Sequence, residues 1–510
     1  MKKTEKRFFK LYFSKTLFSL KRRNNSKQFI RLFDILESQK EYNETDSEKK
    51  LRTSFSVKQI HPVRNYLYNS LLDCMVITGQ ENSSGTSIRK LIDQAEFLFK
   101  KGLYIQSYEL IEKANAGAVR FEEWEAQLWI RHWKMRIVTR PEVFRLIDHS
   151  PVYDKESKKL LTNLSILHKL ENLRQSMINK TLEKGLSFYD TPFAMNSELE
   201  AILDAAEEKP ENFRIRKVVL HIRASWFATK KDFVSAEKEF ENIVKLLEEH
   251  PHFIENDPQE YFRILRNFIG YKAFNEKHED VLEMVKKLRV SPVRTISGKE
   301  IKYPADDQFF LNNTEAYALT KSGLFTEAYA FVNKWISQEK RWEKNLNEEN
   351  RTLLTYNLAY ISFSLGKQAE ALKWTNKIIR SRFATVRQDI DIAARLLNLI
   401  IHFELKNYDF LPYAVRSTSR YIKKKEHLYQ SEILMIDFFK KVPVLYTENR
   451  LKESILKLRS DLEDMKKTAE GKEDAEYFDY LIPWLDSKIK NKPYSKIVRE
   501  QYLSQKGYEN

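Results

Sequence analysis

Apolar residues recur at intervals of three and four along most of the chain, which is the spacing of one face of an α-helix. From residue 88 to about residue 440 the spacing continues in successive segments, separated by short polar interruptions or by prolines such as Pro151, Pro210 and Pro304. No strand-like alternation persists over a long stretch. The pattern predicts an all-α chain built from many consecutive helices.

The composition supports this prediction. The 510 residues include only 11 glycines and 13 prolines, well below the usual shares of roughly 7% and 5%. Sandwiches, barrels and doubly wound folds use glycine in hairpins and phosphate-binding loops, so they are disfavoured. With 42% hydrophobic residues, the chain can bury a large core.

The pattern divides the chain into four regions. These are a basic, aromatic helical arm (1–37), a polar linker with a leading helix (38–87), a helical array (88–440) and C-terminal capping helices (441–510). The leading helix is predicted from Val63 to Ile77, after Pro62, and the segment 79–87 is predicted as a loop. Inside the array, an unbroken segment from Glu156 to Gly185 predicts one long helix.

The C-terminal region carries a short seam of apolar residues spaced four and three apart: Leu451, Ile455, Leu458, Leu462 and Met465. Such a seam either packs on the last hairpin or joins two copies of the chain. The oligomeric state therefore stays open. A further capping helix is predicted to end at residues 490–493.

Within the array, a small residue is followed seven residues later by glycine and five residues after that by another small residue. Three copies have this spacing: Ala95/Gly102/Ser107, Ala316/Gly323/Ala328 and Ala359/Gly366/Ala371. Two looser copies lack the glycine: Ala224/Lys231/Ala236 and Gly270/Lys277/Leu282. Small side chains let two antiparallel helices approach closely, and glycine ends the first helix in the left-handed conformation. The copies predict helical hairpins that stack to bury a continuous core.

This spacing resembles the tetratricopeptide repeat family. The resemblance covers much of residues 88–440 and implies an α-solenoid of stacked antiparallel hairpins. The interval of 43–46 residues between copies exceeds the usual 34, and Gln368 stands where the family has an aromatic residue. The chain is tetratricopeptide-like, without the features of one subfamily.

The resemblance also implies a binding surface on the first helix of each hairpin, at fixed offsets from the small residue. The corresponding residues here are Asn267, Tyr271, Phe274, Asn313, Tyr317, Thr320, Tyr356, Tyr360 and Phe363. Tyr271, Tyr317 and Tyr360 then occupy one place in three successive repeats and form a ladder that suits an extended peptide. Alternatively, these tyrosines fill gaps between helices.

The positive charge is concentrated at the N-terminus, where residues 1–31 hold eleven lysines and arginines and one acid. The arm also has an apolar helix face, formed by Phe9, Phe13, Leu17 and Leu20. Either this face docks on the body, or the arm binds nucleic acid, a ribosome, a membrane surface or a partner groove.

Two groups of basic residues are candidates for binding phosphates: Lys21, Arg22 and Arg23 in the arm, and Arg416, Arg420 and Lys424 in the array. In the second group, Tyr413 and Tyr421 lie between the charges, as in stripes that bind single-stranded nucleic acid. Solvated side chains are the simpler interpretation.

The sequence offers no chemistry typical of enzymes. It has no phosphate-binding glycine loop, no nucleophile elbow and no zinc-protease motif. The single cysteine, Cys74, is expected to be buried, and His250 and His252 would bind metal only with a third ligand. We therefore expect no catalytic residues, cofactor or metal. The lack of a long apolar segment, together with the single cysteine, predicts a cytoplasmic protein.

Three functions fit the sequence. The leading hypothesis is a non-enzymatic scaffold that binds a peptide or protein segment on the concave face of the array. The alternative is a nucleic-acid- or ribosome-associated factor that uses residues 1–31 and the second basic group. A third is a ligand-sensing regulator in which a small peptide changes the superhelix.

Overall fold

The computed structural model describes residues 6–11, 30, 32–38, 57–79, 83–145, 153–184, 203, 206, 212–290, 305–338, 346–381, 388–423, 430–444, 447–467 and 475–507. Every regular element among these residues is a helix. The all-α prediction is confirmed. The chain forms two compact units, residues 1–230 with 242–261 (unit 1) and residues 231–241 with 262–510 (unit 2).

The labelled helices begin after two short helical stretches, 6–11 and 32–37. The first ten are α1 (Val57–Gly79), α2 (Ser84–Lys100), α3 (Tyr104–Arg120), α4 (Trp124–Val138), α5 (Pro141–Phe144), α6 (Tyr153–Lys184), α7 (Phe213–Thr229), α8 (Phe233–Glu249), α9 (Pro251–Asn256) and α10 (Pro258–Phe274). The others are α11 (His278–Val290), α12 (Ala305–Lys321), α13 (Phe325–Gln338), α14 (Glu348–Ser364), α15 (Gln368–Ile379), α16 (Gln388–Glu404), α17 (Leu411–Ile422), α18 (Gln430–Lys441), α19 (Glu448–Lys466), α20 (Ala475–Ile489) and α21 (Tyr494–Gln505).

Two predicted boundaries shift. The leading helix α1 begins at Val57 and includes Pro62, because packing of its buried face outweighs the hydrogen bond that proline lacks. The predicted loop 79–87 ends earlier, since the Ser83 hydroxyl accepts a hydrogen bond from the Thr86 amide and caps α2. The long helix inside the array is confirmed as α6.

The predicted hairpins form where the three complete copies of the motif lie. Helices α2 and α3, α12 and α13, and α14 and α15 pack as consecutive pairs, with the small residues buried between them. In the first pair the Ser107 hydroxyl donates to the Ala95 carbonyl at 2.8 Å. Gly102, Gly323 and Gly366 have φ of +80°, +71° and +72°. Within each unit, consecutive helices pack against one another in chain order, as in an α-solenoid.

The left-handed conformation also occurs at hairpin turns that lack glycine. Glu122, Lys231 and Lys406 have φ of 51°, 58° and 57°. At four of these six turns, with or without glycine, an aromatic residue follows two positions later and begins the next helix: Tyr104, Trp124, Phe233 and Phe325. The left-handed turn therefore occurs at more hairpins than those that carry a glycine at this position.

A buried carboxylate ties α8 to the turn after α10 within unit 2. Glu237 is 5% exposed and accepts hydrogen bonds from Lys272 at 3.0 Å, Asn275 at 2.7 Å and Lys277 at 2.9 Å. Burial raises the pKa of Glu237, but the hydrogen bonds from Asn275, Lys277 and Lys272 outweigh it and leave the pKa lowered. Glu237 is therefore ionised at neutral pH.

The described part of the N-terminal arm docks on α1. Phe9, Leu32 and Phe33 are buried in one cluster with Leu67 and Cys74. Lys6 pairs with Glu37 at 3.0 Å, and Lys10 pairs with Asp34 at 2.7 Å. The structure thus supports the docking interpretation of the arm, and Cys74 is buried as expected. The other apolar positions of the predicted arm face (Phe13, Leu17 and Leu20) lie outside the described residues.

The C-terminal helices close the core of unit 2. Ile455, Leu458 and Leu462 of the predicted seam are buried in one cluster with Leu481 and Trp484 of α20, which confirms intramolecular packing of the seam. The Trp484 indole donates to Glu404 of α16 at 2.7 Å.

Candidate functional site

Two of the predicted ladder tyrosines hold equivalent places in unit 2. Tyr317 on α12 follows the buried Ala316, and Tyr360 on α14 follows the buried Ala359. The side chain of Tyr317 is 39% exposed, while that of Tyr360 is half-buried. These two residues form the part of the ladder that the repeat geometry supports.

Tyr271 does not belong to the same ladder position. The left-handed residue of its hairpin is Glu276, with φ of 57°, whereas the sequence predicts Lys277. Every position of this copy moves back by one, so Ile269 takes the place of the small residue and Gly270 the place of Tyr317 and Tyr360. The error arose because Gly270 and Lys277 have the expected spacing while the glycine of the turn is missing.

The residues assigned with Tyr271 shift for the same reason. The ring of Tyr271 stacks on Phe240 with centroids 5.1 Å apart, and Phe274 stacks on Phe233 at 5.1 Å. Both rings thus contact α8. The half-buried Tyr271 matches the gap-filling interpretation of the ladder, while Phe274 remains 52% exposed. Asn267 is exposed on α10.

The remaining assigned positions serve mainly to pack α12 and α14. The Asn313 side chain accepts a hydrogen bond from Asn357 at 2.6 Å. The buried Thr320 donates to the carbonyl of Tyr317 at 2.7 Å. Tyr356 packs partly buried against the core, and Phe363 is 2% exposed.

The C-terminal helix α21 lies on the ladder. The Tyr494 hydroxyl shares a hydrogen bond of 2.9 Å with the Tyr360 hydroxyl. The Tyr494 ring also contacts Phe363 and Phe325, with centroids 5.3 and 6.0 Å apart. The first residue of α21 therefore occupies the aromatic surface where α13 and α14 meet.

Further along α21, two more side chains contact the preceding hairpins. Arg499 donates to the backbone carbonyl of Ser322 at 2.7 Å, at the turn between α12 and α13. The Tyr502 hydroxyl donates to Glu279 of α11 at 3.3 Å. The Tyr502 ring lies 6.1 Å from the ring of the buried His278. Helix α21 thus runs back along the hairpins, from α14 to α11.

Electrostatic interactions stabilise the position of Tyr502. Burial, together with the negative charge of Glu279, raises the pKa of Tyr502 above its ordinary value. The Arg499 guanidinium lies 5.5 Å from the Tyr502 ring, within cation–π range. Tyr502 is therefore a neutral hydrogen-bond donor over the whole physiological pH range.

The second basic group is only partly brought together. Arg416 and Arg420 are exposed on α17, and Tyr413 beside them is 63% exposed. Tyr421 points elsewhere, since Arg395 lies 4.0 Å above its ring. Lys424, and the arm residues Lys21, Arg22 and Arg23, lie outside the described residues.

The described residues offer no metal or membrane-spanning site. None of their His, Cys, Asp and Glu side chains form a group of three that could hold a metal ion. His250 and His252 lie in an aromatic cluster, with ring centroids 5.4 Å from Phe213 and 4.4 Å from Phe253, respectively. Within the same part of the chain, every helix is too short or too polar to cross a bilayer.

Sequence reasoning missed α21 as part of the site, because its contacts join residues 134 to 223 positions apart. The available signal was Tyr494, Ile497 and Tyr502, whose three- and five-residue steps place them near one helix face. All three are buried.

Comparison with known proteins adds little to this picture. Neither a model of a known protein family nor a curated protein matches the sequence. Among solved structures, the crystal structure of the apo form of RapI is similar, with a TM-score of 0.45 and 11% sequence identity. The match covers 83% of this chain and 99% of that one. A similarity at this level carries no information on function.

Proposed function

We propose that this protein is a non-enzymatic interaction scaffold whose helical array binds a protein segment on the surface around Tyr317 and Tyr360. One observation carries the proposal. This surface accepts a helix, α21, through aromatic contacts at Tyr494 and a charged hydrogen bond at Arg499. Tyrosine-rich surfaces of this kind give flat contact area together with hydrogen bonds and lose little side-chain entropy.

The nucleic-acid alternative has less support. The described arm residues bury Phe9, Leu32 and Phe33 in a core cluster and pair Lys6 and Lys10 with acids. Of the candidate basic residues, Arg416 and Arg420 are the described pair left exposed. We therefore treat nucleic-acid binding as an outcome that the test can reveal.

The test is a pull-down of the tagged full-length chain from extract of its native cells, with and without nuclease, read by mass spectrometry. The Tyr317→Ala/Tyr360→Ala chain is compared with the Tyr413→Ala chain, which loses an exposed tyrosine on α17. We expect nuclease-resistant partners that the double variant loses and the control retains.

Two results would overturn the proposal. Partners that disappear with nuclease would indicate nucleic acid, and their binding would also weaken steeply with salt because bound phosphates release counterions. Partners that still bind the folded double variant would show that the binding surface lies elsewhere. Circular dichroism establishes that each variant is folded.

A further inference from the structure

Helix α21 is bound to the ladder surface in the manner of a ligand. Its nine residues from Tyr494 to Tyr502 rise by roughly 12 Å. Contacts are made at Tyr494, Arg499 and Tyr502 with α14, the α12–α13 turn and α11, respectively. One side of the helix therefore contacts successive hairpins. Lys496 and Ser504 are exposed.

The centre of the surface is shaped for a helix backbone. A Cβ atom added at Gly323 would lie 2.7 Å from Arg499 Cα and 2.8 Å from its amide nitrogen. At the equivalent Gly366, a Cβ would meet no atom within 4 Å. Glycine is thus sterically required at the one turn against which α21 lies.

The surface also favours a cation beside the Ser322 carbonyl. Ser322 directly follows the last residue of α12, and carbonyls at a helix C-terminus have no partner within the helix and carry partial negative charge. Arg499 supplies a charged donor to the Ser322 carbonyl at 2.7 Å. Glu279 adds a carboxylate on the neighbouring hairpin. A ligand of this surface therefore combines a positive centre with aromatic ends.

The link between α20 and α21 favours occupancy even when the contacts are weak. Residues 490–493 join Ile489 to Tyr494, and a short link gives an effective concentration on the order of millimolar. Besides the charged hydrogen bond of Arg499, the polar contacts of α21 with the ladder surface are a tyrosine pair and one hydrogen bond of 3.3 Å, and Gln501 bonds Asp486 of α20. A separate helix with better contacts can compete with such a segment.

From these observations we infer that α21 is a self-ligand, which covers the ladder surface until a partner helix displaces it. The partner segment would be a short amphipathic helix with an aromatic residue, a basic residue about five positions later and a second aromatic residue three positions after that, as in Tyr494, Arg499 and Tyr502. This inference rests on the proposed function and names its partner class.

The test measures binding in trans with the full-length chain. A fluorescein-labelled peptide of residues 491–507 is titrated with wild-type chain and with Arg499→Ala/Tyr502→Ala chain, and anisotropy is recorded. We expect the peptide to bind the variant chain at least tenfold more tightly than the wild-type chain, because the variant vacates the surface. The same peptide carrying the two alanines should lose this binding.

Controls make each outcome decisive. The Lys496→Ala/Ser504→Ala chain alters exposed residues of the same helix and should behave as wild type. If the double variant does not fold, the single variant Arg499→Ala replaces it, since it weakens the hold on α21 and leaves the receiving surface unchanged. Equal peptide binding by all chains, or none by any of them, would overturn the inference and make α21 a fixed structural helix.

The two proposals fail separately. If the peptide result is negative but partners still depend on Tyr317 and Tyr360, the scaffold function stands and the self-ligand does not. If the peptide binds the vacated surface but no partner depends on those tyrosines, the self-ligand stands and the proposed function does not.

Discussion

Two glycines in equivalent turns allow the contribution of the α21 contact to stability to be measured. Gly323 and Gly366 both have positive φ, of +71° and +72°. Alanine at either position has to adopt the left-handed conformation, which costs about 1 kcal/mol or slightly more. Only alanine at Gly323 also collides with α21. The difference between the two variants therefore isolates the contact with the helix.

The magnitude follows from the distances. The added Cβ would lie 2.7 to 3.0 Å from three atoms of Arg499, well inside the ~3.5–4.0 Å optimum for carbon contacts. Helix α21 must shift or leave. A shift that breaks the charged hydrogen bond to Ser322 costs about 1.5–3 kcal/mol, whereas complete departure would also expose the buried Tyr494, Ile497 and Tyr502. We expect Gly323→Ala to destabilise unit 2 by about 1–3 kcal/mol more than Gly366→Ala.

The assay is hydrogen exchange of the full-length chain read by mass spectrometry, with urea unfolding for the overall stability. Gly323→Ala should accelerate exchange across residues 494–505, while Gly366→Ala should leave that segment unchanged. Equal loss of stability in both variants, together with unchanged protection of α21, would refute the reasoning. It would mean that the helix does not press on Gly323 in solution.

Three further perturbations test the fold. Glu237→Gln removes the charge from a buried cluster of donors and should destabilise unit 2 by about 3 kcal/mol, whereas exposed Glu283→Gln should cost less than about 0.5 kcal/mol; urea unfolding compares them. Burial, then nearby positive charges, lower the pKa of His221 in the folded chain to about 3. In the unfolded chain the pKa of this histidine is about 6.5, so as the pH falls the unfolded chain binds a proton before the folded chain does. Stability should therefore fall between pH 6.5 and 3, by up to ~1.4 kcal/mol per pH unit, and His221→Gln should flatten the profile; an unchanged profile contradicts the assignment. Phe9→Ala should loosen the arm by about 3–5 kcal/mol and speed proteolysis before residue 57, an effect that exposed Leu11→Ala should not reproduce.

Local chemistry explains which hairpins the sequence predicts. Ala316, Gly323 and Ala328 determine a hairpin by themselves, because small side chains allow close packing and glycine adopts positive φ. Glu276 adopts the same conformation with no such signal. Lys231 could still be placed, because Ala224 and Ala236 flank it at the expected spacing. Ile269 stands where the copy around Glu276 needs a small residue, and the resulting one-residue error displaced Tyr271 from the ladder.

The site was predicted less completely than the fold. Tyr317 and Tyr360 could be placed because each follows a recognisable small residue. The helix that covers them could not, because a contact such as that between Tyr360 and Tyr494 joins distant parts of the chain. Periodicity predicts which face of a helix is apolar, but it does not identify the surface on which that face packs.

The glycine-free turns have a consequence for how this architecture tolerates change. Glu122, Lys231, Glu276 and Lys406 each hold a conformation that glycine adopts without steric cost, and each keeps roughly 1–2 kcal/mol of strain. Tertiary packing of the hairpins therefore maintains these turns against the local preference of the backbone. The chain thus holds a reserve of stability in these turns. Glu122 is an exception, because its carboxylate accepts hydrogen bonds from the Phe213 and Arg214 amides. Replacement by glycine at Glu276 or Lys406 would offset part of a damaging substitution elsewhere, so the binding surface can diverge while the hairpins remain intact.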